Sequence, residues 1–258
     1  MPDINASKPH IARIYDFWLG GKDNFAADRQ AAELAKAASP TVIPGVRANR
    51  RFLSRAVRYM AAAGIRQFLD IGTGIPTAGN THLIAQREDP HARVVYVDND
   101  PIVLSHSMAL LKSTTMPPVY IHADARDTAA LLSKAADVLD FTQPVGVLLI
   151  AILHCIPAED DPYRLVADLM TAVPPGSLLA ISHPAPDQVI EASFAQDSLA
   201  ESIGQPITFR TRAEVTRFFD GMHIVEPGIV PVQQWHADLD LDLNSPPTAM
   251  WAGVGIKA

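Results

Sequence analysis

The sequence predicts an α/β fold in which a mostly parallel, seven-stranded open sheet carries helices on both faces and follows an N-terminal helical extension. Two observations carry this reading. From about residue 65 onward, short apolar, β-branched runs alternate with helical patterns, the signature of βαβ units. The first of these runs also ends in a glycine-rich turn and the second in an acid, and open α/β sheets bind their ligands beyond the carboxyl ends of the strands.

The elements follow in order. Residues 26–38 and 46–63 read as helices, the second stopped by Gly64. Strands are predicted over 67–71, 93–98, 119–122, 145–151 and 177–182. Asp100-Pro101 opens a helix after the second strand, with Asp as N-cap and Pro at the first helical position, and Asp161-Pro162 repeats the device before the fifth. Thr211-Arg212-Ala213-Glu214 is a capping box ahead of Val215, Phe218 and Phe219, so a last helix runs to about Gly221. Two further strands, 229–235 and 249–256, flank an acidic loop at 238–247. The chain divides into an extension, 1–64, and a sheet domain, 65–258.

Composition narrows the class. With 258 residues, 48% hydrophobic and 19% charged, the chain can bury one sizeable core. No apolar run reaches ~18 residues and no apolar segment follows a basic patch at the N-terminus, so neither a membrane span nor a signal peptide is supported, and the chain reads as cytoplasmic. The single cysteine, Cys155, reads as a buried thiol, and the sequence gives no support to a zinc or other metal site. A net charge of -7 argues against a nucleic-acid partner, because phosphate neutralisation needs excess Lys and Arg. The charge is unevenly spread: residues 1–60 hold 10 Lys/Arg against 5 Asp/Glu, and residues 61–258 hold 11 against 23. Either a basic N-terminal segment clamps onto an acidic body, or Arg47, Arg50, Arg51, Arg55 and Arg58 form the solvated face of a helix. No signal points to a particular oligomeric state.

The strongest chemical signal is Phe68-Leu69-Asp70-Ile71-Gly72-Thr73-Gly74, an apolar strand ending in Asp-x-Gly-x-Gly. Glycines in that turn let the backbone approach a cofactor closely. Asp98 ends the next strand 24 residues after Gly74, where a carboxylate can accept both ribose hydroxyls. An NAD(P) site would need Gly-x-Gly-x-x-Gly/Ala, and here the third position is Thr77, preceded by Pro76 with no N–H to donate. Asp70 would oppose a pyrophosphate but suits an ammonium and a sulfonium, which favours a methyl donor.

These segments, with Asp124 and Ile150-Ala151-Ile152-Leu153-His154, resemble class I S-adenosylmethionine-dependent methyltransferases, a Rossmann-like fold. Tyr15-Asp16-Phe17-Trp18-Leu19-Gly20-Gly21-Lys22-Asp23-Asn24-Phe25-Ala26-Ala27-Asp28-Arg29, together with Gly72 through Asn80 and Val97-Asp98-Asn99-Asp100-Pro101, is similar to the S-adenosyl methyltransferase family carrying an N-terminal GGKDNF block. The resemblance implies an enzyme that uses S-adenosylmethionine and releases S-adenosylhomocysteine; it does not identify the acceptor, which is expected to be a small molecule. It further implies that Asp70, Gly72 and Gly74 line the methionine end, with Thr73 among the cofactor-binding residues, that Asp98 holds the ribose and that Asn99 flanks ribose and adenine. Asp124 with Ala125 would meet the adenine edge, and Ala151 would lie beneath the sulfonium. Pro76 departs from the class pattern, so Asn80 is expected as N-cap of a delayed helix beginning at Thr81.

The 15–29 block is too polar and glycine-rich for an ordinary core helix. It reads as a lid, with Tyr15 and Asn24 on the cofactor, or else Asp23, Asp28 and Arg29 cap and staple the next helix. His154 is the base the fourth-strand segment offers, although a histidine at such a corner also serves as hydrogen-bonded structure. His183 and His122 are weaker choices. The absence of an Asn/Asp-Pro-Pro-Tyr signature favours an oxygen or carbon acceptor. Trp18, Trp235 and Trp251 read as packing residues. In the segment 187–203, Val189, Ile190, Phe194 and Leu199 fit an acceptor pocket or a helix packed on the sheet equally well. A module that binds the methyl donor without catalysing transfer is the alternative.

Overall fold

The computed structural model describes residues 5–75, 79–103, 116–188, 191–236 and 248–258, with backbone only over 191–195. Pro76, Thr77, Val189, Ile190, the Phe194 side chain and the loop 238–247 therefore lie outside the described residues.

Three helices, α1 (Ile11–Trp18), α2 (Ala26–Ala38) and α3 (Val42–Ala62), precede the first strand. Then come β1 (Gln67–Ile71), α4 (Thr81–Glu88), β2 (Arg93–Asp98), β3 (Val119–His122), α5 (Thr128–Ala135), β4 (Gly146–Ile150), α6 (Pro162–Ala172) and β5 (Leu178–Pro184). The chain closes with α7 (Glu191–Ile203), α8 (Arg212–Thr216), β6 (Met222–Ile224), β7 (Val230–Pro231) and β8 (Met250–Lys257). The sheet order is β3-β2-β1-β4-β5-β8-β6, with β7 paired to β8 off this row. The first five strands are parallel, and β8 runs antiparallel to β5, β6 and β7.

The helix-start signals work as their chemistry requires. Asp161 Oδ1 accepts the Arg164 N–H at 3.1 Å ahead of Pro162, and Asp100 Oδ1 accepts the Ile102 N–H at 2.9 Å. Thr211 and Glu214 form their reciprocal capping box. The delayed helix does begin at Thr81, but Asn80 makes no side-chain cap. Of the two predicted C-terminal strands, 249–256 is found as β8 and 229–235 differs from expectation. Pro231 has no N–H for a ladder, so the run 229–235 yields only Val230–Pro231, after which the chain turns and buries Val232 and Trp235 completely. The edge strand is instead Met222–Ile224, which follows Gly221 directly and, at three residues, is too short to show a period of two.

Both faces of the sheet are covered, so β1, β4 and β5 are apolar throughout apart from Asp70 and the tips. Val147 and Leu149 face a cluster completed by Leu131 of α5 and by Leu165 and Leu169 of α6. Leu148 faces the other way, with Phe68, Phe52 and Met60 of α3, and Trp235. Arg55 belongs to this second face and not to a solvated one. It is buried, and its guanidinium donates to the carbonyls of Trp235 at 2.7 Å and Val232 at 2.8 Å. A third cluster, built on Ile14, Trp18, Ala32 and Val46, packs the N-terminal helices against Leu199 of α7. No described helix is long and apolar enough to cross a membrane.

Candidate active site

The site forms where β1, β2 and β4 end. Gly72 has φ +72°, and a Cβ there would collide with the Ile152 side chain, so only glycine lets the turn after β1 pass the turn after β4. The Gly74 N–H donates to Asp98 Oδ2 at 2.8 Å and the Asp100 N–H to Oδ1 at 2.9 Å. Each carboxylate oxygen thus keeps a lone pair for a ligand hydroxyl. Burial pushes the Asp98 carboxyl above the usual carboxylate range. Asp70 is buried as well, and Thr81 donates to its Oδ2 at 2.6 Å. Burial drives the Asp70 carboxyl up to about 6, against the opposing pull of Thr81 and of the Arg50 cation.

The N-terminal helices supply the opposite wall. Tyr15 on α1 and Asn49 and Arg50 on α3 complete a cavity of about 390 Å³ with the strand tips. That volume lies within the ~300–1,000 Å³ of small-molecule sites. The Tyr15 hydroxyl accepts from Asn49 Nδ2 at 2.9 Å, which leaves Asn49 Oδ1 buried and without a partner. The Arg50 guanidinium donates to the Gly79 carbonyl at 3.2 Å.

The GGKDNF block folds around one buried carboxylate, that of Asp16. Its Oδ2 accepts from the Asp23 N–H at 3.0 Å and from Asn24 Nδ2 at 2.8 Å. The block is held down at its other end by Arg13, whose Nε stands 3.3 Å from Asp28 Oδ1, while His10 Nδ1 stands 3.0 Å from Asp100 Oδ2. Asp28 in turn accepts from the backbone N–H groups of His10 at 2.9 Å and Phe25 at 2.8 Å, the latter at the start of α2. The segment thus caps α2 through Asp28 and supplies Tyr15 and Asp16 to the cavity wall.

Ten of the sequence-predicted residues share this cavity: Tyr15, Asp70, Gly72, Thr73, Gly74, Asp98, Asn99, Asp124, Ala125 and Ala151. Two do not line it. Asn24 stands behind Asp16, and Arg29 occupies its Oδ1 at 3.1 Å. His154 borders a separate, smaller pocket. Asp124 is present but engaged, since Arg126 Nε donates to its Oδ1 at 2.9 Å, and this partner holds its carboxyl below the usual range. His183 is fully buried against the Pro184 carbonyl at 2.8 Å and Arg210 at 3.0 Å, and His122 is exposed. Cys155 lines the main cavity, half-buried, and burial pushes its thiol up to about 12. The sequence reading missed Asp16, Asn49 and Arg50 as wall residues. Asp16 lies inside the block already singled out, whereas Asn49 and Arg50 sit in an amphipathic helix with no local signature.

The lining fits a ligand with an ammonium, a carboxylate and a ribose. Asp70 and the orphaned Asn49 Oδ1 offer acceptors for the first, Arg50 a cation for the second, and Asp98 acceptors for the third. A parallel sheet closed by an antiparallel β8, with acids at the tips of β1 and β2, defines a class I methyltransferase fold. A family model described as S-adenosyl methyltransferase matches residues 1–258, and the chain belongs to that family. The protein is an S-adenosylmethionine-dependent methyltransferase.

Solved structures agree. A DUF574-family protein from Streptomyces avermitilis is 43% identical over 99% of this chain and 100% of its own, with a TM-score of 0.93. A candidate methyltransferase from Thermobifida fusca is 38% identical over 97% and 96%, with a TM-score of 0.91. At the level of fold alone, the plantazolicin methyltransferase in complex with S-adenosylhomocysteine is 13% identical over 96% and 95%, with a TM-score of 0.51. No curated protein sequence matches the chain.

Proposed function

We propose that the protein methylates a small-molecule acceptor in the cytoplasm, with residues 1–64 acting as the cofactor lid of the methyltransferase domain 65–258. The observation that carries this reading is that Tyr15, Asn49 and Arg50 stand over the β1 and β2 tips and bound, with them, a cavity of small-molecule size among the described residues. The bound cofactor supplies an electrophilic methyl group on a sulfonium, transferred by in-line displacement.

The chain's own groups bind and orient. Asp70 and Asn49 take the ammonium, Arg50 the carboxylate and Asp98 the ribose hydroxyls. Asn99, Asp124 and Ala125 border the adenine, with Thr73 and Gly74 beneath the methionine end. Asn24 acts through Asp16 as a positioning residue. His154 accepts the proton that the acceptor loses. Burial and the Arg210 cation hold its imidazole down to about 4, so it is neutral at physiological pH.

Calorimetric titration of S-adenosylmethionine, S-adenosylhomocysteine and NAD against wild type and Asp98→Ala tests the cofactor assignments. The first two should bind, NAD should not, and the substitution should weaken binding about 10- to 100-fold, the scale of hydrogen bonds to a charged group. Equal affinity in the variant would remove Asp98 from the ribose role.

A further inference from the structure

We infer that the pocket beside His154 is the acceptor site and that it takes a neutral, ring-sized apolar group carrying one hydroxyl. The inference rests on the methyl-transfer reading above, because it treats this pocket as the place where the methyl group is received.

Continuity comes first. The pocket is separate from the cofactor cavity but shares three wall residues with it, Ile11, Tyr15 and Ala151. Ala151 follows β4 with φ +52°, a conformation costly for a residue with a Cβ, and both the carbonyl and the hydroxyl of Ser182 receive its N–H, at 3.1 and 3.0 Å. The strained turn thus borders both spaces.

Size and polarity then select the occupant. The pocket measures about 100 Å³, less than the ~150 Å³ of an engineered cavity that takes benzene, so its occupant is at most one ring or its equivalent. Its walls are mainly aliphatic and aromatic, with Trp18, Val46, Leu199, Phe209 and Met250 among them, and no Asp, Glu, Lys or Arg lines it among the described residues. An ionised acceptor would lose its hydration there without a counter-charge.

One polar group fixes the remaining feature. The Tyr15 hydroxyl is engaged with Asn49 and, at 3.4 Å, with the Val46 carbonyl, and the hydroxyls of Ser39 and Thr41 pair with each other at 3.0 Å. His154, 5% exposed, keeps a buried Nδ1 with no partner. Arg210 lies behind it, donating to the Leu153 and Ile156 carbonyls and to His183 Nε2, and keeps positive charge on that side. That nitrogen has no partner, so an occupant's hydroxyl that reaches it would supply the missing donor, and a second cation is disfavoured there.

The test loads the full-length protein with S-adenosylhomocysteine, so that no turnover occurs, and titrates p-cresol, toluene, benzylamine and benzoate by calorimetry and thermal shift. We expect p-cresol to bind about tenfold more tightly than toluene, and the two charged compounds not to bind. His154→Phe should bring p-cresol down to toluene, and Val46→Phe should fill the pocket and remove both while S-adenosylhomocysteine still binds. Charged compounds binding as well as p-cresol, no binding of either neutral compound, or p-cresol binding unchanged in Val46→Phe would overturn the assignment. Failure of S-adenosylhomocysteine to bind wild type would instead remove the cofactor reading, and is seen before any acceptor is added.

Discussion

Asp70 is a carboxylate whose surroundings favour its neutral form until a cation arrives. Its native pKa, about 6, stands above the ~3.9 of an unfolded aspartate. Between those values the native state binds more protons than the unfolded one, so stability falls as pH rises through the window. Above pH ~6 the penalty is complete, on the order of 3 kcal/mol for such a separation. Asp70→Asn should therefore raise the melting temperature of the free protein at pH 7.5 and flatten its decline between pH ~4 and ~6. The same variant should lose about 10- to 100-fold in cofactor affinity, as expected for a lost charged hydrogen bond. Because an ammonium favours the carboxylate, wild-type binding near pH 5.5 should release protons. Calorimetry in buffers of different ionisation enthalpy measures that release, and an absence of buffer dependence there would show that Asp70 does not meet the ammonium.

At the scale of elements, the sheet and the tips of β1 and β2 were legible because each depends on local chemistry: an apolar run, a turn that admits only glycine, an acid at a strand end. The wall opposite was not. Asn49 and Arg50 reach the cavity only because α3 lies across the sheet, with Phe52 and Met60 packed on Phe68 and Leu148, and nothing in its own sequence states that orientation. Of the C-terminal strands, 249–256 was read correctly as β8, whereas Val230–Pro231 looked longer than Pro231 permits and Met222–Ile224 was too short to read. The turn between α1 and α2 gives a sharp test of its construction. A Cβ on Gly21 would overlap the Asp16 carboxylate, whereas one on Gly20, at φ +84°, meets no atom within 4 Å. Gly20→Ala should cost only ~1–2 kcal/mol of backbone strain and leave cofactor affinity unchanged. Gly21→Ala should also weaken cofactor binding, because Asp16 must give up the Asp23 and Asn24 contacts. Equal affinities in the two variants would show that Asp16 does not shape the site.

For the molecule as a whole, the N-terminal helices are inseparable from the rest, since Ile14, Trp18 and Val46 share a core with Leu199 of α7. What fastens their leading edge over the cofactor cavity is a buried set of charges: Arg13 between Asp28 and Asp100, with His10 alongside and the Arg13 guanidinium 5.3 Å from the Phe25 ring centre. Arg13→Leu keeps the apolar stem and removes the charge. It should speed release of S-adenosylhomocysteine, measured by stopped-flow displacement, more than it slows association. An unchanged release rate would mean that the fastening does not limit exit.

That fastening bears on the tempo of the reaction. On the proposed lid role of α1 and α3, the spent thioether leaves only when the Arg13 cluster parts, and the next methyl donor enters after it. Time courses begun with loaded protein should accordingly show a fast first turnover followed by a slower steady state, whose rate belongs to the opening of a clasp and not to the breaking of a carbon–sulfur bond.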